Sequence, residues 1–198
     1  MPLELRRRDL DPDPLAQFAA WFAAAGEAGV PVPEAAALAT AAPDGAPSLR
    51  MVLVKGFDAR GFVFFTNYAS RKGRELAANP RAALLLHWQP LGRQVRVEGE
   101  VSRVPEQESD AYFRSRPLPS RLSAIASSQS DPVAERAELE ARVAALEGDA
   151  DPPRPAEWGG YVLAPEAYEF WQHRDDRLHD RFRYERESGG WRIERLAP

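Results

Sequence analysis

Ala82-Ala83-Leu84-Leu85-Leu86-His87-Trp88 is a nearly unbroken apolar run, and across the turn at Pro90 to Gly92 the chain changes character. From Gln94 onward polar and apolar residues alternate. Val95, Val97 and Val101 fall on one face with Gly99 between them, and Gln94, Arg96, Glu98 and Glu100 fall on the other. Successive side chains of a strand point to opposite faces, so the second segment reads as a half-buried strand. The first is short for a helix and fits a strand buried on both faces. Joined by a tight turn, the two place an antiparallel pair at the centre of the chain.

Working outward from that pair, Ser70 to Asn79 reads as a short helix stopped before Pro80. Before it come β-type segments at Ala36 to Ala41, Ser48 to Phe57 and Phe62 to Asn67, separated by turns at Pro43-Asp44-Gly45 and Asp58 to Gly61. Asp11-Pro12-Asp13-Pro14 starts a helix, with acidic caps and prolines suited to a first turn, and that helix ends near Gly26 to Gly29. Downstream, a helical stretch runs from roughly Pro105 to Glu147, punctuated by Pro117, Pro119 and Pro132. Its last helix carries Leu139, Val143 and Leu146 on one side and a Glu138/Arg142 pair at i,i+4. A proline-rich connector, Asp151 to Pro155, leads to strands at Tyr161 to Leu163, Tyr168 to Trp171, Arg181 to Glu187 and Trp191 to Leu196. Antiparallel strands in succession, with helices inserted, argue for an α+β domain built on a β-barrel. The expected organisation is one domain over 1–198, with an N-terminal helical segment (1–30), a helical insertion (105–147) and C-terminal strands (158–198).

Composition narrows the function. The chain has 198 residues, a net charge of -4 and no cysteine, which removes disulfides, thiolate metal sites and a cysteine nucleophile together. Three histidines, His87, His173 and His179, are too few for a multi-histidine metal centre. The acidic balance leaves no overall basic field for nucleic acid or an anionic membrane. Arg6-Arg7-Arg8 followed by the apolar stretch Leu15 to Ala25 superficially resembles a secretory leader. Asp9, Asp11 and Asp13 separate the two parts, however, and Leu15, Phe18, Phe22 and Ala25 recur at helical spacing. A folded amphipathic helix in a cytoplasmic protein is the expectation, and no run approaches membrane-spanning length. Among 26 basic residues only Lys55 and Lys72 are lysines, and a compact ammonium does not replace a guanidinium fork.

Four segments carry possible chemistry. Arg50 and Lys55 end one strand and nominally face opposite ways, which suits two different ligands or merely charged strand ends. In Phe65-Thr66-Asn67-Tyr68-Ala69-Ser70-Arg71-Lys72, a strand passes through a polar turn into a helix. Cations at a helix start oppose the dipole, so local stability does not ask for Arg71 and Lys72; the motif fits a bound phosphate or a solvated helix start. Tyr112 and Arg116 converge if helical, with Ser120 beyond Pro117; this trio fits an anion or a structural network equally. If Arg177-Leu178-His179-Asp180-Arg181 is extended, Arg177, His179 and Arg181 share a face, an arrangement that asks for an anionic or acidic partner. Trp171 upstream offers a flat apolar surface. Gln129-Ser130 precedes a helix start at Asp131-Pro132, where Ser130 or Asp131 could be a cap.

Together these segments resemble the pyridoxine (pyridoxamine) 5'-phosphate oxidase family from about Arg6 to Pro198. The motifs are RMVLVK (50–55), FFTNYASRK (64–72), RQVRVEG (93–99), YFRSRP (112–117), EFWQ (169–172), RLHDRF (177–182) and the terminal RLAP. The resemblance implies an FMN-binding split β-barrel, mostly antiparallel with peripheral helices, acting as a homodimer with FMN at the subunit interface. It implies that Arg50, Met51, Val52, Leu53, Phe65, Thr66, Arg71 and Lys72 bind the flavin, with Gln94, Gln129, Ser130, Trp171 and Arg181 completing its contacts, some from the second subunit. It implies that Lys55, Tyr112, Arg116 and Ser120 hold the substrate phosphate, and that Arg177 and His179 flank the reacting carbon. The reaction implied is oxidation of pyridoxine or pyridoxamine 5'-phosphate to pyridoxal 5'-phosphate, with hydride passing to FMN and then to O2 to give H2O2. Two departures from relatives stand out. Many relatives have a basic segment before the equivalent of Arg6-Arg7-Arg8-Asp9-Leu10, and Gln172 to Asp176 lacks the glycine usual after the Trp-Gln pair. The alternatives are a phenazine-type flavin oxidase on the same frame and a non-catalytic carrier of flavin or pyridoxal phosphate.

Overall fold

The computed structural model describes residues 4–146, 148 and 150–198. In chain order the elements are α1 (Pro14–Glu27), β1 (Ala35–Ala41), β2 (Pro47–Asp58), β3 (Gly61–Asn67), α2 (Arg71–Ala78), β4 (Arg81–Trp88) and β5 (Arg93–Arg103). They continue with α3 (Glu106–Ser115), α4 (Leu118–Ala126), α5 (Arg136–Ala144), β6 (Trp158–Gln172), β7 (Asp180–Glu187) and β8 (Gly190–Arg195). The strands form one antiparallel sheet in the order β3-β2-β1-β4-β5-β6-β7-β8, and an added β3–β6 pairing closes the first six into a barrel. β7 and β8 extend the wall beyond the closure as a hairpin. This is the architecture expected from the central pair and its neighbours.

The barrel interior is filled by alternate residues of its strands. Leu38, Phe62, Phe64, Leu84, Leu86, Val95, Val97, Leu163 and Phe170 are all buried. α1 covers this core: Asp13 caps it by accepting from the Leu15 N–H at 3.0 Å, and Phe18 packs edge-on to Phe57 and Phe62. Gln17, which interrupts the apolar stretch of that helix, is buried with its carbonyl accepting from the Asp11 N–H at 2.9 Å. No helix among the described residues is long and apolar enough to cross a membrane.

Several expectations change in detail. β4 is not buried on both faces: Leu84, Leu86 and Trp88 are buried but His87 is exposed, because a barrel wall has only one inner side. Tyr161 to Leu163 and Tyr168 to Trp171 are parts of one long strand, β6. Pro165, which lies between them, sits opposite Gly99 where the β5–β6 register shifts, a place where a missing N–H is tolerated. A Cβ on Gly99 would lie 1.9 Å from the Ala164 carbonyl oxygen, so this close approach requires glycine in an otherwise valine-lined face. Asp131-Pro132 does not begin a helix; 127–135 is irregular and α5 starts at Arg136, with Glu135 as its N-cap. Glu147, the expected end of the helical stretch, lies outside the described residues.

Candidate functional site

A cavity of about 310 Å³ opens on the barrel wall between β2, β3 and α3. Met51, Val52, Leu53 and Lys55 line it from β2, Phe65 and Thr66 from β3, and Lys72 from α2. Tyr112, Arg116 and Gln129 close it from the helical insertion, with Trp158 at the start of β6. Ten residues singled out in the sequence thus meet in one place. A second cavity of about 450 Å³ adjoins it, sharing Arg116, Gln129 and Trp158 and adding Ser120 and Asn67.

Trp158 is the lining residue that the sequence reading missed. Its ring is nearly parallel to that of Phe65, 5.5 Å away at 13°, and Phe65 in turn stacks on Tyr112 at 3.9 Å and 21°. The available signal was Trp158-Gly159-Gly160. A Cβ on Gly160 would stand 2.8 Å from the Phe65 ring and one on Gly159 2.0 Å from the Tyr68 hydroxyl, so the aromatic layer requires both glycines. The Arg116 guanidinium lies 4.8 Å from the Trp158 ring centroid. Burial lowers its affinity for the proton, and its Nη1 is buried without a hydrogen-bond partner. Arg116 is not helical: α3 ends at Ser115 and Arg116 is extended, yet it still reaches the cavity beside Tyr112.

Lys72 is only 8% exposed. Ser70 caps α2, accepting from the Gly73 N–H at 3.3 Å, and so turns the first residues of the helix toward the cavity. Lys72 Nζ donates to Gln129 Oε1 at 2.9 Å, Thr66 Oγ1 at 3.1 Å and Ser70 Oγ at 3.4 Å, all neutral oxygens. Burial, with the Arg50 charge nearby, pushes its pKa down to about 8. A buried ammonium with no carboxylate among the described residues in contact fits an anionic ligand group. Arg71 donates its backbone N–H to Ser130 Oγ at 3.2 Å, and Ser130 adopts a left-handed φ of 79° to reach it. Lys55 Nζ is 3.5 Å from Glu34 Oε1 and faces away from Arg50, as the odd spacing implied.

Arg50 and Arg71 do not line the cavity. Both are bound to Glu75 of α2, Arg50 through Nη2 at 3.2 Å and Arg71 through Nε at 2.9 Å. Burial works against the Glu75 charge, but hydrogen bonds from Ser48, Thr40, Arg71 and Arg50 outweigh it and bring the pKa down to about 2.

The remaining candidates form a second cluster at the opposite end of β6. Gln94 pairs with Trp171 across β5–β6, and Trp171 pairs with Arg181 across β6–β7. The expectation of one extended face through Arg177, His179 and Arg181 is corrected. β7 begins only at Asp180, and Arg177 sits in a loop with a left-handed φ of 66°. His179 instead packs on Trp171, ring centroids 4.6 Å apart, and its Nδ1 accepts the Arg174 N–H at 3.1 Å. Arg181 turns to the buried Glu169, donating from Nε at 2.9 Å and Nη2 at 3.2 Å. His173 is half-buried between Gly92 and these rings. From Trp158 to Trp171 the strand covers on the order of 40 Å at about 3.3 Å per residue, so one chain keeps the two clusters apart.

This arrangement has counterparts. Residues 22–148 match the family model described as pyridoxamine 5'-phosphate oxidase, and residues 158–198 match that of the pyridoxine 5'-phosphate oxidase C-terminal dimerisation region. A pyridoxine/pyridoxamine 5'-phosphate oxidase from Janthinobacterium sp. (strain Marseille) is 57% identical over 198 residues, covering 98% of this chain and 94% of its own. PhzG from Burkholderia lata 383, solved with tetrahydrophenazine-1-carboxylic acid, superposes with a TM-score of 0.93 at 38% identity over 99% of this chain and 98% of its own. A pyridoxamine 5'-phosphate oxidase-related, FMN-binding protein from Nostoc punctiforme shares the fold, with a TM-score of 0.75 at 18% identity over 99% of this chain and all of its own. With family models matching residues 22–148, which carry β1 to β5, and 158–198, which carry β6 to β8, the chain belongs to the pyridoxamine 5'-phosphate oxidase family.

Proposed function

We propose that this protein oxidises pyridoxine 5'-phosphate and pyridoxamine 5'-phosphate to pyridoxal 5'-phosphate, with FMN as cofactor and O2 as final acceptor. One observation carries the reading: a single aromatic-lined cavity brings together the buried Lys72 and the half-buried Arg116, with no carboxylate among the described residues in contact with either. Two phosphorylated molecules placed together, cofactor and substrate, require two such anion sites. The curated relative at 57% identity carries the same activity in its name.

In this reading Lys72 and Arg71, at the positive end of the α2 dipole, hold the FMN phosphate. Met51, Val52, Leu53, Phe65, Thr66, Gln129 and Ser130 flank the cofactor, and Arg50 supports the phosphate end. Lys55, Tyr112, Arg116 and Ser120 hold the substrate phosphate, so the substrate is anchored at the end remote from its reacting carbon. FMN, when bound, supplies the two-electron acceptor for hydride leaving C4'. Arg177 and His179 orient the C4' substituent, and His179 Nε2, the ring nitrogen not engaged with Arg174, is placed to manage its proton. For the alcohol, substrate and O2 give aldehyde and H2O2; for the amine, one water is consumed and ammonia leaves.

The catalytic pair comes from the other subunit. The distance along β6 supports this, as does the family's description of residues 158–198 as a dimerisation region. Leu49 and Met51, 69% and 64% exposed on the outer face of β2, give an apolar surface for the partner. A C2 homodimer then joins the Lys72 cluster of one chain to the Trp171 cluster of the other, twice, with Gln94, Trp171 and Arg181 completing the flavin contacts. The chain acts as one unit, because Leu38 and Phe64 share a core with Phe170 and Tyr184. A cytoplasmic location fits α1 as an integral part of that core.

A second reading rests on the likeness to PhzG: a phenazine-type substrate on the same frame. The test is oxygen-dependent formation of pyridoxal 5'-phosphate by the FMN-reconstituted protein. Turnover of either phosphorylated vitamer is the expected result. Flavin binding without turnover on both would move the function to another substrate or to a carrier.

A further inference from the structure

We infer that Glu75 is a positioning residue for the phosphate end of the site: its buried carboxylate aims Arg50 and Arg71 while standing outside the cavity itself. The inference rests on the reading of Lys72 and its neighbours as the FMN phosphate site.

Glu75 lies one helical turn after Arg71 and is 7% exposed. Its Oε1 accepts from Arg71 Nε at 2.9 Å. Its Oε2 accepts from the hydroxyls of Thr40 and Ser48 and from Arg50 Nη2 at 3.2 Å. Two strands and one helix therefore converge on one carboxylate. Arg50 is further fixed by donating to the Leu38 carbonyl at 3.2 Å and to the Thr40 and Ser48 hydroxyls. The arrangement is not what anion binding asks of charge alone, since a carboxylate beside a phosphate site repels the ligand. Nor is a buried ion pair a strong reason for stability, because desolvation offsets much of its attraction.

What Glu75 supplies is geometry. The Arg71 side chain is 60% exposed, and a long exposed arginine loses rotamer freedom when it binds. Tethering Nε fixes the plane of the guanidinium and leaves its two terminal nitrogens without a hydrogen-bond partner among the described residues. Those nitrogens are the fork that recognises phosphate oxygens.

The experiment compares FMN with riboflavin, which lacks the phosphate, by flavin fluorescence quenching on the full chain. Wild type preferring FMN establishes that a phosphate site exists; equal affinities would sink that reading and this inference with it. Given the preference, Glu75→Gln is expected to weaken FMN by about tenfold or more while leaving riboflavin within about twofold. Ser48→Ala, which removes one hydroxyl from the same carboxylate without adding bulk, is expected to give a smaller loss with the same selectivity. In the Arg71→Ala background Glu75→Gln should cost less than it does alone. Unchanged or tighter FMN binding in Glu75→Gln overturns the inference, because the charge then only opposes the ligand. Equal weakening of both flavins also overturns it, because Glu75 is then structural only. Should Glu75→Gln fail to fold, the selectivity of Ser48→Ala decides alone.

Discussion

The two ends of the site are built in opposite ways. Around Lys72 most groups sit on, or at the start of, a regular element, and the ammonium is already held by Thr66 and Ser70 together with Gln129 from the irregular segment 127–135. Around Arg177 the chain is a loop whose hydrogen bonds are mostly internal: Arg177 N–H to the Arg174 carbonyl, Leu178 N–H to Asp176, Arg174 N–H to His179. Its ties to the barrel are the His173 N–H to the Gly92 carbonyl at 2.8 Å and the packing of His179 on Trp171. Leu178 is 68% exposed at its tip. In the proposed reading the cofactor end is thus preformed by one chain, while the reacting end is presented outward. Binding and catalysis should therefore separate under mutation.

The sharpest separation is expected from Arg177→Ala. Turnover should fall by about 10²- to 10⁴-fold with flavin absorbance retained on the purified protein. Loss of flavin together with activity would erase the contrast. Lys72→Met, which keeps the bulk and removes the charge, should do the reverse. FMN affinity should drop about 10- to 100-fold with riboflavin affinity little changed, as titration of both flavins would show.

A smaller effect follows from pH. Lys72 is charged below about 8, so FMN affinity should fall as pH rises through that value while riboflavin affinity stays flat. Stability of the flavin-free protein should move the other way. The unfolded chain keeps the Lys72 proton to about 10.5 and the folded chain only to about 8, so between these values the unfolded state binds more protons and unfolding free energy rises with pH. Denaturant melts at about pH 7.5, below that window, and about pH 9.5, inside it, would show whether Lys72→Met removes that slope. The smallest effect is expected from His173→Gly, about twofold or less in kcat with flavin binding unchanged. A larger loss would mean that the packing of His173 on Trp171 and His179 shapes the reacting end.

The barrel was legible because its signals are local. The alternation through Val95, Val97 and Val101 and the turns at Pro43-Asp44-Gly45 and Asp58 to Gly61 each mark a strand or its end. The continuity of β6 through Pro165 was not, because the bulge that accommodates the proline depends on Gly99 in a different strand. The dipole argument singled out the cations at the start of α2, and the structure brings Lys72, but not Arg71, to the cavity. Glu75 was invisible, since its partners Thr40, Ser48 and Arg50 lie 35, 27 and 25 residues away. The loop at Arg177 was misread as extended because a left-handed arginine leaves no mark in composition.

The composite site itself is tested most directly by subunit complementation. One subunit carries Lys72→Met with Arg116→Ala and the other carries Arg177→Ala, with different tags so that the mixed dimer can be purified. Each parent dimer is expected to be inactive, and the mixed dimer to recover about half of wild-type activity, because one of its two sites draws both intact halves. No recovery from a mixed dimer that binds FMN would contradict the account, since it would mean that both ends of the site belong to the same chain.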